Sequence, residues 1–159
     1  MAARFLFPAL LSALALAGAE KYNGPLPPKP DIRYLMHADR LVPTEVSEAR
    51  EDNRKNETAF VISGGSSSAR TPLSEPIFII EAQLIVAERL ELYRLEVLNG
   101  NREASISRQK KKGGSRAVHL LVTRLGDRLY RVEADEPLEN GEYSLSPSDS
   151  NRVFCFEIY

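Results

Sequence analysis

From Ile77 to its last residue the chain alternates short runs of strand-forming apolar residues with turn signals, and that rhythm leaves few folds open to it. The runs "IFIIEAQLIV", "LELYRLEVL", "RAVHLLVTRL", "LYRVEAD", "GEYSLS" and "RVFCFEIY" succeed one another with a turn roughly every ten residues. Asn99-Gly100 is a strong hairpin signal, because both central residues of a type I′ turn take positive φ. Gly126-Asp127 marks a second turn. "EAQLIVAERLELYRLE" holds many helix formers, yet Tyr93, Leu95 and Val97 alternate with Arg94 and Glu96, a period of two that predicts strand. Frequent short strands predict antiparallel pairing in a sandwich or barrel. Upstream, "IRYLMHADRLVPTEV" reads as two short strands around a turn at His37 to Arg40, and "TAFVIS" as another strand. "SEAREDNRKNE" is charged and almost free of large apolar residues, which leaves room for a short helix near 44–54 or for a loop.

"LENGEY" sets Gly141 two residues ahead of Tyr143 at the start of a strand. This resembles the tyrosine corner of immunoglobulin-like sandwiches, where a tyrosine hydroxyl ties the strand start to nearby backbone. The expected fold class is therefore all-β, an antiparallel immunoglobulin-like β-sandwich. "EPIFII", "LYRLEV", "LENGEYSL" and the terminal "FCFEIY" together resemble uncharacterised exported bacterial β-domains. In those, a P-x-F strand precedes a GEY-x-L turn and an aromatic closing strand. The likeness spans about Pro76 to Tyr159; it implies fold and export and brings no activity.

The first residues carry their own signal. Arg4 precedes an apolar run from Phe5 to Leu16, and Ala17-Gly18-Ala19 stands before Glu20, the order of a secretory signal peptide. The run is short of the roughly 20 apolar residues of a bilayer span. The expected organisation is a signal peptide over 1–19, a proline-rich N-terminal segment over 20–31 and a single β-sandwich domain over 32–159. The expected location is periplasmic or secreted, with no stable membrane span after cleavage.

A net charge of −1 gives no global field toward nucleic acid. An electrostatic partner would need a local patch, and "SRQKKKGGSR" supplies one in Arg108, Lys110, Lys111, Lys112 and Arg116. No aromatic residue interleaves there, so base stacking is not indicated. An unknown envelope protein or an anionic polymer is the expected partner, with a solvated hairpin tip as the plainer alternative. One cysteine and two histidines exclude an internal disulfide and a multi-thiolate zinc site, and no cofactor is expected.

Three features could carry chemistry. Cys155 is expected on a mixed strand face with Val153 and Glu157, opposite the core face of Phe154, Phe156 and Ile158, and as an inert small apolar residue. His37, beside Asp39, and His119 could act only if distant strands brought them together. "SGGSSSART" offers backbone N–H groups and Arg70 around a turn. It lacks both the phosphate-loop lysine and the second glycine of a nucleophile elbow. The expected function is a non-enzymatic binding or structural module, with Gly141, Tyr143 and Cys155 structural. The alternatives are a small hydrolase using Ser66 to Arg70 with His37 or His119, and an adaptor that receives a partner strand at a sheet edge. For the exported protein, an intact mass that starts at Glu20 is the expected result; retention of 1–19 in a membrane fraction overturns the leader reading.

Overall fold

A computed structural model describes residues 21–107 and 115–159. The leader expected over 1–19 lies outside the described residues, as do Arg108, Lys110, Lys111 and Lys112 of the cationic patch. In chain order the strands are β1 (Tyr34–His37), β2 (Arg40–Pro43), β3 (Glu45–Glu48), β4 (Arg50–Asn53), β5 (Glu57–Ser63), β6 (Arg70–Thr71) and β7 (Ile77–Glu81). A single 3₁₀ turn, Ala87–Arg89, leads into β8 (Leu90–Leu98) and β9 (Asn101–Ser107). After these come β10 (Ala117–Val118), β11 (Leu120–Arg124), β12 (Leu129–Ala134), β13 (Gly141–Pro147) and β14 (Arg152–Ile158).

They form two sheets packed face to face, an all-β sandwich. The smaller has the order β11-β12-β7-β1-β2, every neighbour antiparallel. The larger runs β3-β14-β13-β8-β9-β5-β4, with β10 paired to β8 and β6 laid parallel to β14. Asn99 and Gly100 take φ of 52° and 75°, as the hairpin between β8 and β9 requires. Fourteen strands exceed the roughly seven to nine of immunoglobulin domains. Only the tyrosine tie described below carries that likeness.

The helix expected as one option near 44–54 is absent: the segment is β3 and β4. Glu45–Glu48 pairs with β14 and Arg50–Asn53 with β5, and these two ladders complete the larger sheet, which a separate charged helix would not do. Helix propensity is a weak prior against that much tertiary pairing. Ala49, the one residue between β3 and β4, is buried, and its N–H donates to the Asn151 carbonyl at 2.7 Å. The larger sheet thus begins and ends on one continuous stretch of chain, and curls back upon itself. The "IFIIEAQLIV" run also divides. Strand β7 stops at Glu81, because the Asp31 carboxylate accepts from the N–H groups of Gln83 and Leu84, at 2.8 and 3.0 Å.

The curl explains why β13 and β14 are buried on both faces. One face packs Tyr143, Leu145, Phe156 and Ile158 against Leu35, Phe78, Ile80 and Val132 of the smaller sheet. Phe156 meets the Phe78 ring edge-on at 5.0 Å and stacks on Tyr143 at 5.5 Å. The other face packs Val153 and Cys155 with Ala49, Ile62, Leu95 and Ala104, inside the curl. Gly141 opens β13 with φ at 155°, a value side-chain-bearing residues rarely adopt. The Tyr143 hydroxyl then donates to the Glu139 carbonyl at 2.8 Å, four residues back. Tyr143→Phe is expected to cost about 1 kcal/mol in denaturant unfolding, the net value of one such bond. A change below a few tenths would show the tie to be idle.

Candidate functional site

The glycine- and serine-rich loop between β5 and β6 does wrap anions, and both belong to the protein. The Ser67 N–H and hydroxyl donate to the buried Glu142 carboxylate, the N–H at 3.1 Å to each oxygen. The Ser68 N–H donates to Glu45 at 2.7 Å. Arg102 joins the two carboxylates from inside the curl, where it is 1 % exposed. Its guanidinium donates to Glu45 at 2.6 Å, to the Ser67 hydroxyl at 2.6 Å and to the carbonyls of Gly64 and Ser63 at 2.8 and 3.0 Å. Glu142 lies 3.7 Å from it. At the loop's far end Arg70 pairs with Glu157 at 2.7 Å. Hydroxyl and amide donors suited to a ligand are therefore bound internally, and the loop is a clasp on the closed sheet.

Burial alone would raise the Glu45 pKa; hydrogen bonds from Arg102, the Ser68 N–H and Ser47 outweigh it and hold the carboxyl below its ordinary 4.5. The Arg70 guanidinium lowers Glu157 likewise. Cys155 is fully buried, and burial pushes its thiol up to about 12, so no thiolate is available at neutral pH. It is packed on the inner face rather than lying on a half-open one. His37 ends β1, with its Nε2 buried and no hydrogen-bond partner among the described residues. His119, exposed between β10 and β11, faces Asp135 at 3.1 Å through Nδ1. Ser66 borders one groove and His119 another. Arg116 lies beside His119 in that second groove. No cluster of metal ligands occurs among the described residues, and no helix among them is long and apolar enough to cross a membrane.

One cavity has charge that the protein does not neutralise. It occupies about 270 Å³ between the segment ahead of β1, the β7–β8 connection and the β13–β14 turn. Arg33, Arg89, Arg152, Asp31 and Asp149 line it together with Leu84, Ile85, Val86, Pro147 and Phe154. Arg33 has no exposed surface, and its guanidinium lies 3.7 Å from the centre of the Phe154 ring. One nitrogen donates to the Asp31 carbonyl at 2.7 Å, while Nε and Nη2 have no partner among the described residues. Burial, opposed by Asp31 and aided by Arg152, lowers the Arg33 pKa to about 10.

Neither Arg33 nor Arg102 was singled out by motif. Strand parity does not mark them either, since Tyr34 beside Arg33 and Glu103 beside Arg102 are buried as well. No family model matches the chain, and no curated protein or solved structure is significantly similar to it. Fold and site define a class alone: a two-sheet β-sandwich with a curled larger sheet, a buried arginine clasp and an arginine-lined end cavity.

Arg102→Met should cost about 3–5 kcal/mol, since it leaves two carboxylates facing the curl unpaired. Adding Glu45→Gln and Glu142→Gln should recover part of that loss. Because the folded Glu45 pKa lies below 4.5, its ionised form contributes stability that is complete above that pH and lost as pH falls through the folded value. Acid unfolding of the wild type should reflect this loss, and the triple variant should show a shallower dependence below pH 4.5; equal acid profiles would remove Glu45 from the account.

Proposed function

We propose that the chain is an exported, non-catalytic binding module that works in a periplasmic or secreted setting. The observation that carries this reading is the internal use of the loop's donors and of the thiol. Ser67 and the Ser68 N–H hold Glu142 and Glu45, Cys155 is buried, and the grooves bordered by Ser66 and by His119 are separate. A hydrolase would need a nucleophile, a base and oxyanion donors converging on open space. The leader pattern and the likeness to exported bacterial β-domains support the location.

Cationic groups remain available for recognition. Arg152, at the end cavity, has no ion-pair partner among the described residues, and Arg116 is exposed. An anionic polymer or the acidic face of an envelope protein suits such groups, and exposed Leu84 and Val86 at the cavity rim add apolar contact. The adaptor reading has narrower ground, since the curled sheet joins its own ends and leaves β11 and β2 as the free edges of the smaller sheet.

The test compares retention of the exported protein on an acidic polysaccharide and on a neutral one, at two salt concentrations. Retention on the acidic matrix alone, fading toward physiological salt as the Debye length contracts to about 8 Å, is the expected result. Replacing Lys110, Lys111 and Lys112 with serine should weaken it while stability stays within about 0.5 kcal/mol. Equal retention on both matrices overturns the anionic-partner reading, and turnover of an ester or phosphoester panel overturns the non-catalytic one.

A further inference from the structure

We propose that the cavity beside Arg33 is a binding site for a monoanionic carboxylate carried on a small apolar group. This deepens the binding-module reading by giving one of its surfaces a ligand class. A buried arginine with two unpaired donors is costly, since a desolvated charge normally requires an opposite charge and full hydrogen bonding. Nothing among the described residues meets that requirement. The Asp31 carboxylate is bound to the N–H groups of Gln83, Leu84 and Ile85, and Asp149 pairs with Arg89 at 3.6 Å. Arg33 and Arg152 are left without a carboxylate partner among the described residues, both close to one ring, 3.7 and 5.4 Å from the Phe154 centroid.

Stereochemistry then selects the ligand. Nε and Nη2, the two unpaired nitrogens of Arg33, form one edge of the guanidinium plane. That edge presents two parallel N–H groups, the fork that matches both oxygens of a carboxylate. Three guanidiniums and two carboxylates line the cavity, a formal excess of one positive charge, which a monoanion neutralises. Leu84, Ile85, Val86, Pro147 and Phe154 offer the remaining wall to an apolar body. The volume of about 270 Å³ has room for a small acid. Arg33 has no exposed surface, so binding at its edge requires the side chains that cover it to move aside. Exposed Arg152 is the unpaired side chain in that wall.

The experiment titrates ¹⁵N-labelled protein with 3-phenylpropionate, its uncharged alcohol analogue and inorganic phosphate, reading the arginine Nε–H resonances. A saturable shift of the Arg33 resonance with the acid is expected, with no such shift from the alcohol and weaker binding of phosphate. Arg152→Gln, a surface change, should weaken binding of the acid at least tenfold. Arg33→Met should abolish it while the denaturation midpoint stays level or rises, because an unpaired buried charge has been removed. No saturable shift at Arg33, equal binding of the alcohol, tighter binding of phosphate, or an unchanged affinity in Arg152→Gln would each overturn the site. Its failure is separable from failure of the binding-module reading. Polysaccharide retention without a ligand shift at Arg33 removes this site alone, and a ligand shift without retention removes the anionic-polymer partner alone.

Discussion

Arg102 inside the curled sheet is the contact on which the rest of the architecture depends. Its guanidinium holds β3 through Glu45, β13 through Glu142 and Ser67, and the end of β5 through the Ser63 and Gly64 carbonyls. Those elements stand far apart in the chain and belong to different stretches of one sheet. A planar group with five donors can satisfy several of them at once, which no apolar side chain and no lysine ammonium does with the same fixed geometry. Desolvation makes the arrangement costly to break and gives it little tolerance for alternatives. The larger sheet therefore curls in one register, with Ala49 at the corner where a larger side chain would meet the packed inner face.

That clasp also settles what the 63–70 loop is. Glycines followed by serines and an arginine form a concave set of donors, and such a set binds an anion. In this protein the anions are Glu45, Glu142 and Glu157, each supplied by a strand of the closed sheet. The anion-wrapping that these donors could offer is structural. The arginines without a carboxylate partner among the described residues lie elsewhere, at the end of the sandwich, where Arg33 and Arg152 flank Phe154.

Much of the fold was legible in the chain. Period-two alternation in β8, β13 and β14, the Asn99-Gly100 turn and the Gly141–Tyr143 pair gave the strands, the hairpin and the antiparallel sandwich. The 44–54 segment was not legible, because Glu, Arg and Ser side chains at the surface are compatible with helix, strand or loop. Only its pairing with β14 and β5 distinguishes them. Cys155 reads in the chain as a small apolar residue on a mixed face; in the fold that face is packed inside the curl with Ala49, Ile62, Leu95 and Ala104. Alternation along a strand reveals two faces, and it does not reveal that a second layer covers the other one.

Sequence by itself determined local geometry: where strands run, where they turn, and which residue cannot carry a side chain. These follow from backbone sterics and from burial with period two, both of which act over a few residues. Tertiary structure alone decided which charges lie inside. Arg102 and Arg33 look like ordinary surface arginines in their own segments, and become buried only because distant strands close over them. It also decided their opposite fates, since burial imposes the same desolvation on both. Arg102 met two carboxylates brought from β3 and β13, whereas the carboxylates near Arg33 were already bound to backbone N–H groups and to Arg89. Whether a buried charge meets a carboxylate depends on what the rest of the chain places beside it, and no local pattern encodes that.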